Sequence, residues 1–382
     1  MDSLANALAA LGSDLRKRLN GAGFVQEHFL ALAATLREGD AATRRRTRNT
    51  VKGTVEAPRP GEITTLPAEG TPEHERLKAR GEEAMRRGEL AFCTMAGGMA
   101  TRMGGIVKAL AEVTDGHTFL AMRLAENRSA SARAGRAVPL WLMTSEATHD
   151  DILHALAKAA APSHVAAFRQ NLSLRLNPDG SLFLGDDGKP SEHATGHGDL
   201  VDALRRSHLL DRFLDSGGKY VWITNVDNLG ASIDPVVLGQ FVDAVDKGTD
   251  VQCEVCRKEG DKGGIPVHAE GKLQVLEEFR LPPEFDPTTV SVFNTNTFLV
   301  RAAPLAKHPL TWTYFEVEKQ VDGRPAIQFE RLLQEITAQM PSTYLEVSRD
   351  GAASRFLPVK DFDELAKRRA TIELVARARG MM

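Results

Sequence analysis

A chain of 382 residues with 42% apolar and 26% charged side chains has the balance of a globular protein with a sizeable core, built as one large domain with an appended part or as two domains. A formal net charge of −3 gives no global attraction for nucleic acid or an anionic membrane, so any anion the protein binds must be held by a local site. No apolar run approaches the roughly 20 residues that span a bilayer, and three cysteines are too few for a disulfide framework and suit a reducing, cytoplasmic compartment.

The opening stretch, MDSLANALAALGSDLRKRL, carries Asp2 and no positive leader. Its apolar residues recur at helical spacing, which reads as an amphipathic helix and not as a secretory signal, with Leu8, Leu11, Leu15 and Leu19 on one stripe. Helical pattern continues to about residue 48, and the run Arg44, Arg45, Arg46 and Arg48 reads as a solvated helix face, with contact to an acidic partner as the lesser alternative. Pro58, Pro60 and Pro67 then mark an extended crossing segment, followed by a short polar helix from Pro72 to about Arg87. Residues 1–89 are therefore expected to form a helical N-terminal region with a crossing segment, and residues 90–382 a second unit.

From Leu90 the rhythm changes. LAFCTM, VPLWLMTS, YVWITN, DVQCEVC and VSVFNTNTFLV read as strands, with helical stretches such as HDDILHALAKAA and DPVVLGQFVDAVDKG between them. Alternation of this kind predicts an α/β fold: an open, largely parallel sheet with helices on both faces. Ligands in such sheets gather beyond the carboxyl ends of the strands, which is where Gly97-Gly98, Thr144-Ser145 and Asn225 with Asp227-Asn228 fall.

Three clusters carry candidate chemistry. Glycines straight after a buried strand, in MAGGMATRMGGIVK, let the backbone approach a ligand closely, and Arg102 and Lys108 follow within one turn-and-helix unit, an arrangement that suits a triphosphate. The loop is neither a Walker A motif nor GxGxxG, since Ala100 stands where the second glycine belongs. Asp227, in NVDNLG at a strand end, is placed to bind Mg²⁺ or a ribose; Asp234 is the better candidate to cap the following helix, which frees Asp227. In HATGHGD, Gly196 and Gly198 argue for a loop, so His193 and His197 do not form a helical zinc pair. Cys253 and Cys256 lie three apart in a strand pattern and point to opposite faces, which disfavours chelation by the pair.

Taken in order, MAGGMATRMGG, LMTS, FRQN, GHGDL, NVDNLGASIDP, KGGIPVHAEGKLQVLEE, FNTNTF, IQFE and SRFLPVK resemble the eukaryotic-type UDP-glucose pyrophosphorylase family over roughly residues 90–365. The resemblance implies a glycosyltransferase-A-like nucleotidyltransferase that forms UDP-glucose and pyrophosphate from UTP and glucose 1-phosphate with Mg²⁺. It implies that Gly97 and Gly98 present backbone to the uracil, that Met143 packs on it and Gln170 bonds its edge, and that Gly196 and His197 lie over the nucleotide. Asp227 would sit by the ribose, phosphates and metal; Gly264, Glu277, Asn294 and Asn296 would line the sugar; Arg102, Lys108 and Lys360 would surround the phosphates. The sequence departs from the family at Ala100, in lacking the proline before the loop lysine, and in placing Lys108 one residue early. It also ends soon after RFLPVK, where the family continues into a β-helix, so a monomer or small homo-oligomer is expected. Rival readings are a UDP-N-acetylhexosamine or broad UDP-sugar pyrophosphorylase, and a non-catalytic UDP-sugar-binding protein.

Overall fold

A computed structural model of the chain describes residues 2–100, 103–114 and 116–382. Eight strands form the central sheet: β1 Ile63–Thr65, β2 Leu90–Met95, β3 Leu140–Thr144, β4 Val165–Arg169, β5 Tyr220–Asn225, β6 Val251–Arg257, β7 Val292–Arg301 and β8 Ser342–Glu346. Their order across the sheet is β1-β8-β6-β7-β5-β2-β3-β4. All five apolar runs read from the sequence are members. Every neighbouring pair is parallel except those made by β7, which runs antiparallel to both β5 and β6. The α/β fold is thus mixed by one inserted strand. Continuous burial along β2 and β3 explains their almost unbroken apolar sequence, since both sheet faces are covered, whereas β6, buried as far as Cys256, also takes Gln252 and Glu254 into the core.

Residues 2–49 hold four helices, α1 Asp2–Ala9, α2 Ser13–Gly21, α3 Gln26–Thr35 and α4 Ala41–Asn49. The single opening helix expected from the leucine stripe is broken: Leu11 and Gly12 lie between α1 and α2, and Gly12 takes an extended conformation (φ −57°, ψ 149°). The stripe is nevertheless a packing face. Leu4, Leu8, Leu11, Leu19, Phe29, Leu32 and Leu36 form a satellite core with Leu172, Leu174, Leu176, Ile327 and Phe329, each fully buried leucine worth roughly 1.5–3 kcal/mol.

The arginine run is a solvated face only in part: Arg46 is exposed, but Arg44 and Arg45 meet acidic partners. Arg44 is buried and grips Glu316 through two bonds of 2.7 and 2.9 Å, while Arg45 reaches Glu316 at 2.9 Å and Glu318 at 3.0 Å. These acidic partners lie on the antiparallel hairpin Phe315–Val321 and Arg324–Glu330, so the run pins the N-terminal helices to a distant part of the chain. The proline-rich segment is extended as expected: Val55–Glu56 pairs with Ile265–Ala269, and β1 adds to the edge of the central sheet. Helix α5, Pro72–Arg86, starts on a Thr71 cap and packs on the helix Pro235–Asp246. Asp234 caps the latter through Val236 and Val237 N–H, leaving Asp227 uncommitted to that role.

Cys253 and Cys256 are buried on β6. Burial pushes the Cys256 thiol up to about 11 and Cys253 well above its ordinary value, so both are inert thiols.

Candidate active site

A cleft of about 370 Å³ opens at the carboxyl ends of β2, β3 and β5. Its walls bring together eight of the residues singled out from sequence: Gly97, Gly98, Lys108, Met143, Gln170, Gly196, His197 and Asp227. Met95, Ala194, Asn225, Val226 and Glu330 complete the lining.

The glycine segment is a β-hairpin and not the strand-to-helix turn its spacing suggested. Met99 pairs with Val107 and Ala100 with Ile106, the Gly105 N–H donates to Ala100 O at 2.9 Å, and the Lys108 N–H donates to Gly98 O at 3.1 Å. Gly104 and Gly105 both have positive φ, 84° and 74°, which is what reverses the chain so tightly. Ala100 is part of the hairpin with its methyl buried, so no glycine is demanded there. The early Lys108 still reaches the cleft, where its ammonium pairs with the Asp227 carboxylate. Arg102 lies outside the described residues.

At the other end, the Gln170 N–H donates to Thr144 O at 2.8 Å, tying the end of β4 to β3. The Gln170 amide stands so close to Gly97 that a β-carbon there would lie 3.1 Å from its Nε2. Met143 is adjacent, since it pairs with Met95 across β3 and β2. Gly196 (φ 92°) passes against Arg331, where a β-carbon would lie 2.5 Å from its carbonyl oxygen. His197 Nδ1 accepts from the Leu333 N–H at 3.0 Å, which leaves Nε2 carrying the proton. Burial lowers this imidazole to about 4, so it is neutral near pH 7. Asp199 of the same loop is a fastener: it accepts from Thr195 and forms a buried ion pair with Arg331 at 2.6 Å.

The loop bearing Asp227 is held from below. Arg123, on the helix Phe119–Ala134, is fully buried and donates to the carbonyls of Asn228, Ala231 (3.1 Å) and Asn225 (3.4 Å), while pairing with Glu126 at 2.7 Å. Glu126 in turn accepts the Ile233 N–H at 2.8 Å. From the far end of the chain, Leu357 N–H donates to Asn228 Oδ1 at 2.8 Å and Asn228 Nδ2 to Arg355 O at 3.2 Å. This is the physical link between NVDN and RFLPVK. Arg355 is itself buried and grips Glu254 at 3.0 and 2.7 Å.

Gly264, Glu277, Asn294 and Asn296 do not line the cleft itself but form one connected group beside it. The Asn294 N–H donates to Gly264 O at 2.7 Å, Asn294 Oδ1 accepts the Asn296 N–H at 2.9 Å, and Asn296 Nδ2 donates to Asn225 Oδ1 at 3.1 Å. A β-carbon on Gly264 would lie 3.1 Å from Glu277 Oε1. The β6–β7 register shifts between Glu254 and Val255, because Thr295 and Asn296 form a bulge with Asn296 at φ 58°. Such a bulge re-aims a side chain, here toward the Asn225 strand end. Burial, with the neighbouring Glu278, raises the Glu277 carboxyl above its ordinary range. Lys360 is exposed and lies outside the cleft lining; its N–H donates to Glu364 at 2.7 Å.

Sequence reasoning placed Asn225 only among the polar residues at the strand ends and assigned no role to Glu330 or Arg123. Asn225 and Glu330 sit inside the motifs NVDN and IQFE, so the signal was present; Arg123 lies in an ordinary helical stretch and had none.

Among the described residues no three carboxylate, imidazole or thiol groups converge on a point. Two carboxylates line the cleft, Asp227 and Glu330, and Asp227, just beyond the end of β5, fits a Mg²⁺ ion held mainly by substrate phosphates and water.

The sheet order, the inserted antiparallel strand and the cleft at the strand ends define the class: an α/β protein of Rossmann-like nucleotidyltransferase fold. The chain belongs to the UTP–glucose-1-phosphate uridylyltransferase family, whose sequence pattern matches residues 44–375. The UTP–glucose-1-phosphate uridylyltransferase of Solanum tuberosum is 31% identical over 292 residues, covering 72% of this chain and 60% of that protein. The chain thus spans about 60% of the length of the curated relatives it matches. Among solved structures, a UDP-glucose phosphorylase of Trypanosoma brucei superposes with a TM-score of 0.72 at 23% identity, over 92% of this chain and 77% of that one. A uridine diphosphate N-acetylglucosamine pyrophosphorylase of the same organism gives 0.71 at 21%, over 95% and 85%. The fold is common to both. Among the described residues no helix is long and apolar enough to cross a membrane.

Proposed function

We propose that this chain joins glucose 1-phosphate to UTP, giving UDP-glucose and pyrophosphate, in the cytoplasm and with Mg²⁺. The observation that carries the reading is the convergence, in one cleft, of Gly97, Met143 and Gln170 with the Lys108–Asp227 pair. In the reaction a phosphate oxygen of the sugar phosphate attacks the α-phosphorus of UTP in line. A new P–O bond forms as the bond to the bridging α–β oxygen breaks, and pyrophosphate leaves with that electron pair. A sugar phosphate, with a second pKa of about 6, is largely dianionic at neutral pH and needs no general base. Catalysis then rests on positioning and on charge facing the departing pyrophosphate. Gln170 and Gly97 hold the base, the neutral His197 offers its Nε2 proton over the nucleotide, and Lys108 faces the phosphates. Bound Mg²⁺, held by Asp227, would neutralise developing charge on the phosphate oxygens. Lys360 joins this set only if the segment carrying it closes over the substrates.

The test is pyrophosphate release with a panel of nucleoside triphosphates and sugar 1-phosphates. UTP with glucose 1-phosphate is expected to give the highest kcat/KM; a clear preference for N-acetylglucosamine 1-phosphate would move the assignment to the sister activity.

Two substitutions separate the halves of the site. Gln170→Ala should weaken UTP and UDP-glucose alike, by roughly tenfold, because an unpaired base edge costs the same in either ligand. Unchanged affinity for both in a calorimetric titration would place the base elsewhere. Asn296→Ala should instead raise KM for glucose 1-phosphate several-fold and leave that for UTP nearly intact. Equal losses for both substrates would show that Asn296 serves the β7 bulge alone.

A further inference from the structure

The 3₁₀ turn Leu333–Glu335 lies between the nucleotide-facing and sugar-facing parts of the proposed site. On one side the Leu333 N–H donates to His197. On the other, Gln334 donates its side-chain amide to Glu277 Oε1. Gln334 is 2% exposed, and its Oε1 meets no hydrogen-bond donor. With the amide nitrogen donating to Glu277, the oxygen is left as a lone acceptor. Buried acceptors without donors are rare because leaving them unmade is costly. Asn296 Oδ1, in the sugar-facing group, is buried and unpartnered in the same way. Acceptors waiting for donors are what a hexose, rich in hydroxyls, would satisfy.

We infer that Gln334 is a further specificity-determining residue: its Oε1 accepts a hydrogen bond from one hydroxyl of a hexose 1-phosphate, while its Nε2 holds the Glu277 carboxylate in place for another. The inference rests on the proposed reading that Gly264, Glu277, Asn294 and Asn296 face the sugar. It adds a residue on a separate element, one that couples sugar recognition to the His197 loop through a single turn.

The test pairs Gln334→Met, close to it in shape, with the four monodeoxy glucose 1-phosphates lacking the 2-, 3-, 4- or 6-hydroxyl. Gln334→Met should raise KM for glucose 1-phosphate about tenfold and change KM for UTP less than twofold. In the wild type, one deoxy substrate should lose about tenfold in kcat/KM for want of the hydroxyl that meets Gln334. In the variant that particular loss should vanish, the signature of a direct coupling in a double-mutant cycle. Gln334→Asn, whose oxygen falls short by one methylene, should also abolish the coupling, and serves if the methionine variant does not fold. Losses that stay additive at all four positions would show that the oxygen meets water and not sugar, and would overturn the inference while leaving the reaction itself intact. A wild-type chain that releases no pyrophosphate from any sugar 1-phosphate would overturn both.

Discussion

Replacing Lys108 by alanine is expected to cut kcat on the order of a hundredfold or more, with circular dichroism unchanged. A fixed positive charge facing a developing oxyanion in a water-poor cleft is worth several kcal/mol in the transition state. Lys108 is placed for that part: it comes directly after the glycine hairpin, lines the cleft, and its ammonium already meets the Asp227 carboxylate proposed to hold a metal there. Losing it also leaves Asp227 without its cation, so binding of UTP, itself polyanionic, should weaken as well. The loss should therefore appear in kcat and in KM for UTP together, and less in KM for the sugar phosphate. Near wild-type turnover would remove Lys108 from the catalytic set. Lys360→Ala made alongside reports on closure: a comparable loss would bring its exposed ammonium to the phosphates during turnover, and unchanged kcat would exclude it.

The second large effect concerns stability. Arg355→Leu is expected to lower unfolding free energy by about 3–5 kcal/mol, because it strands a buried carboxylate. Glu254 is 0% exposed and takes both its guanidinium bonds from Arg355, whose charge also lies 5.2 Å from the Trp222 ring centre. Arg355→Met combined with Glu254→Gln, which removes both charges, should recover most of that loss in a denaturant titration. Equal destabilisation by the double and single changes would mean that the pair contributes shape and not charge compensation. Because the Arg355 carbonyl accepts from Asn228, the single change should also loosen the Asp227 loop and lower activity in the fraction that stays folded.

Much of the fold and the cleft is legible in the sequence, and the exceptions have physical causes. The five runs identify strands of the central sheet because burial on both faces leaves β2 and β3 almost continuously apolar, while β6 and β7 stay legible through their apolar ends although Gln252, Glu254 and the NTNT stretch interrupt them. Asp234 can be read as a cap because a carboxylate before Pro235 at a helix start has one obvious use. The hairpin in the glycine segment is not legible: glycines license a turn without specifying the element beyond it, and only the cross-pairing of Met99–Ala100 with Ile106–Val107 decides. Nor are the partners of Arg44 and Arg45. Their acidic counterparts lie about 270 positions away, and a local charge pattern carries no information on contacts at that range. Arg123 leaves no trace for a related reason, since its role is to bind carbonyl oxygens, which every residue has. The N-terminal break at Gly12 shows the reverse case, where a correct hydrophobic stripe is drawn through one helix although two share it.

The central claim is that the cleft between Gln170 and Lys108 transfers a uridylyl group. It is tested most directly by mixing the full chain with UTP, glucose 1-phosphate and Mg²⁺ and measuring both products together. Pyrophosphate and UDP-glucose should appear in equal amounts, dependent on both substrates and strongly reduced in Lys108→Ala. Tight binding of UDP-glucose with no pyrophosphate released would contradict the claim, and would leave a sugar-nucleotide-binding protein in place of an enzyme.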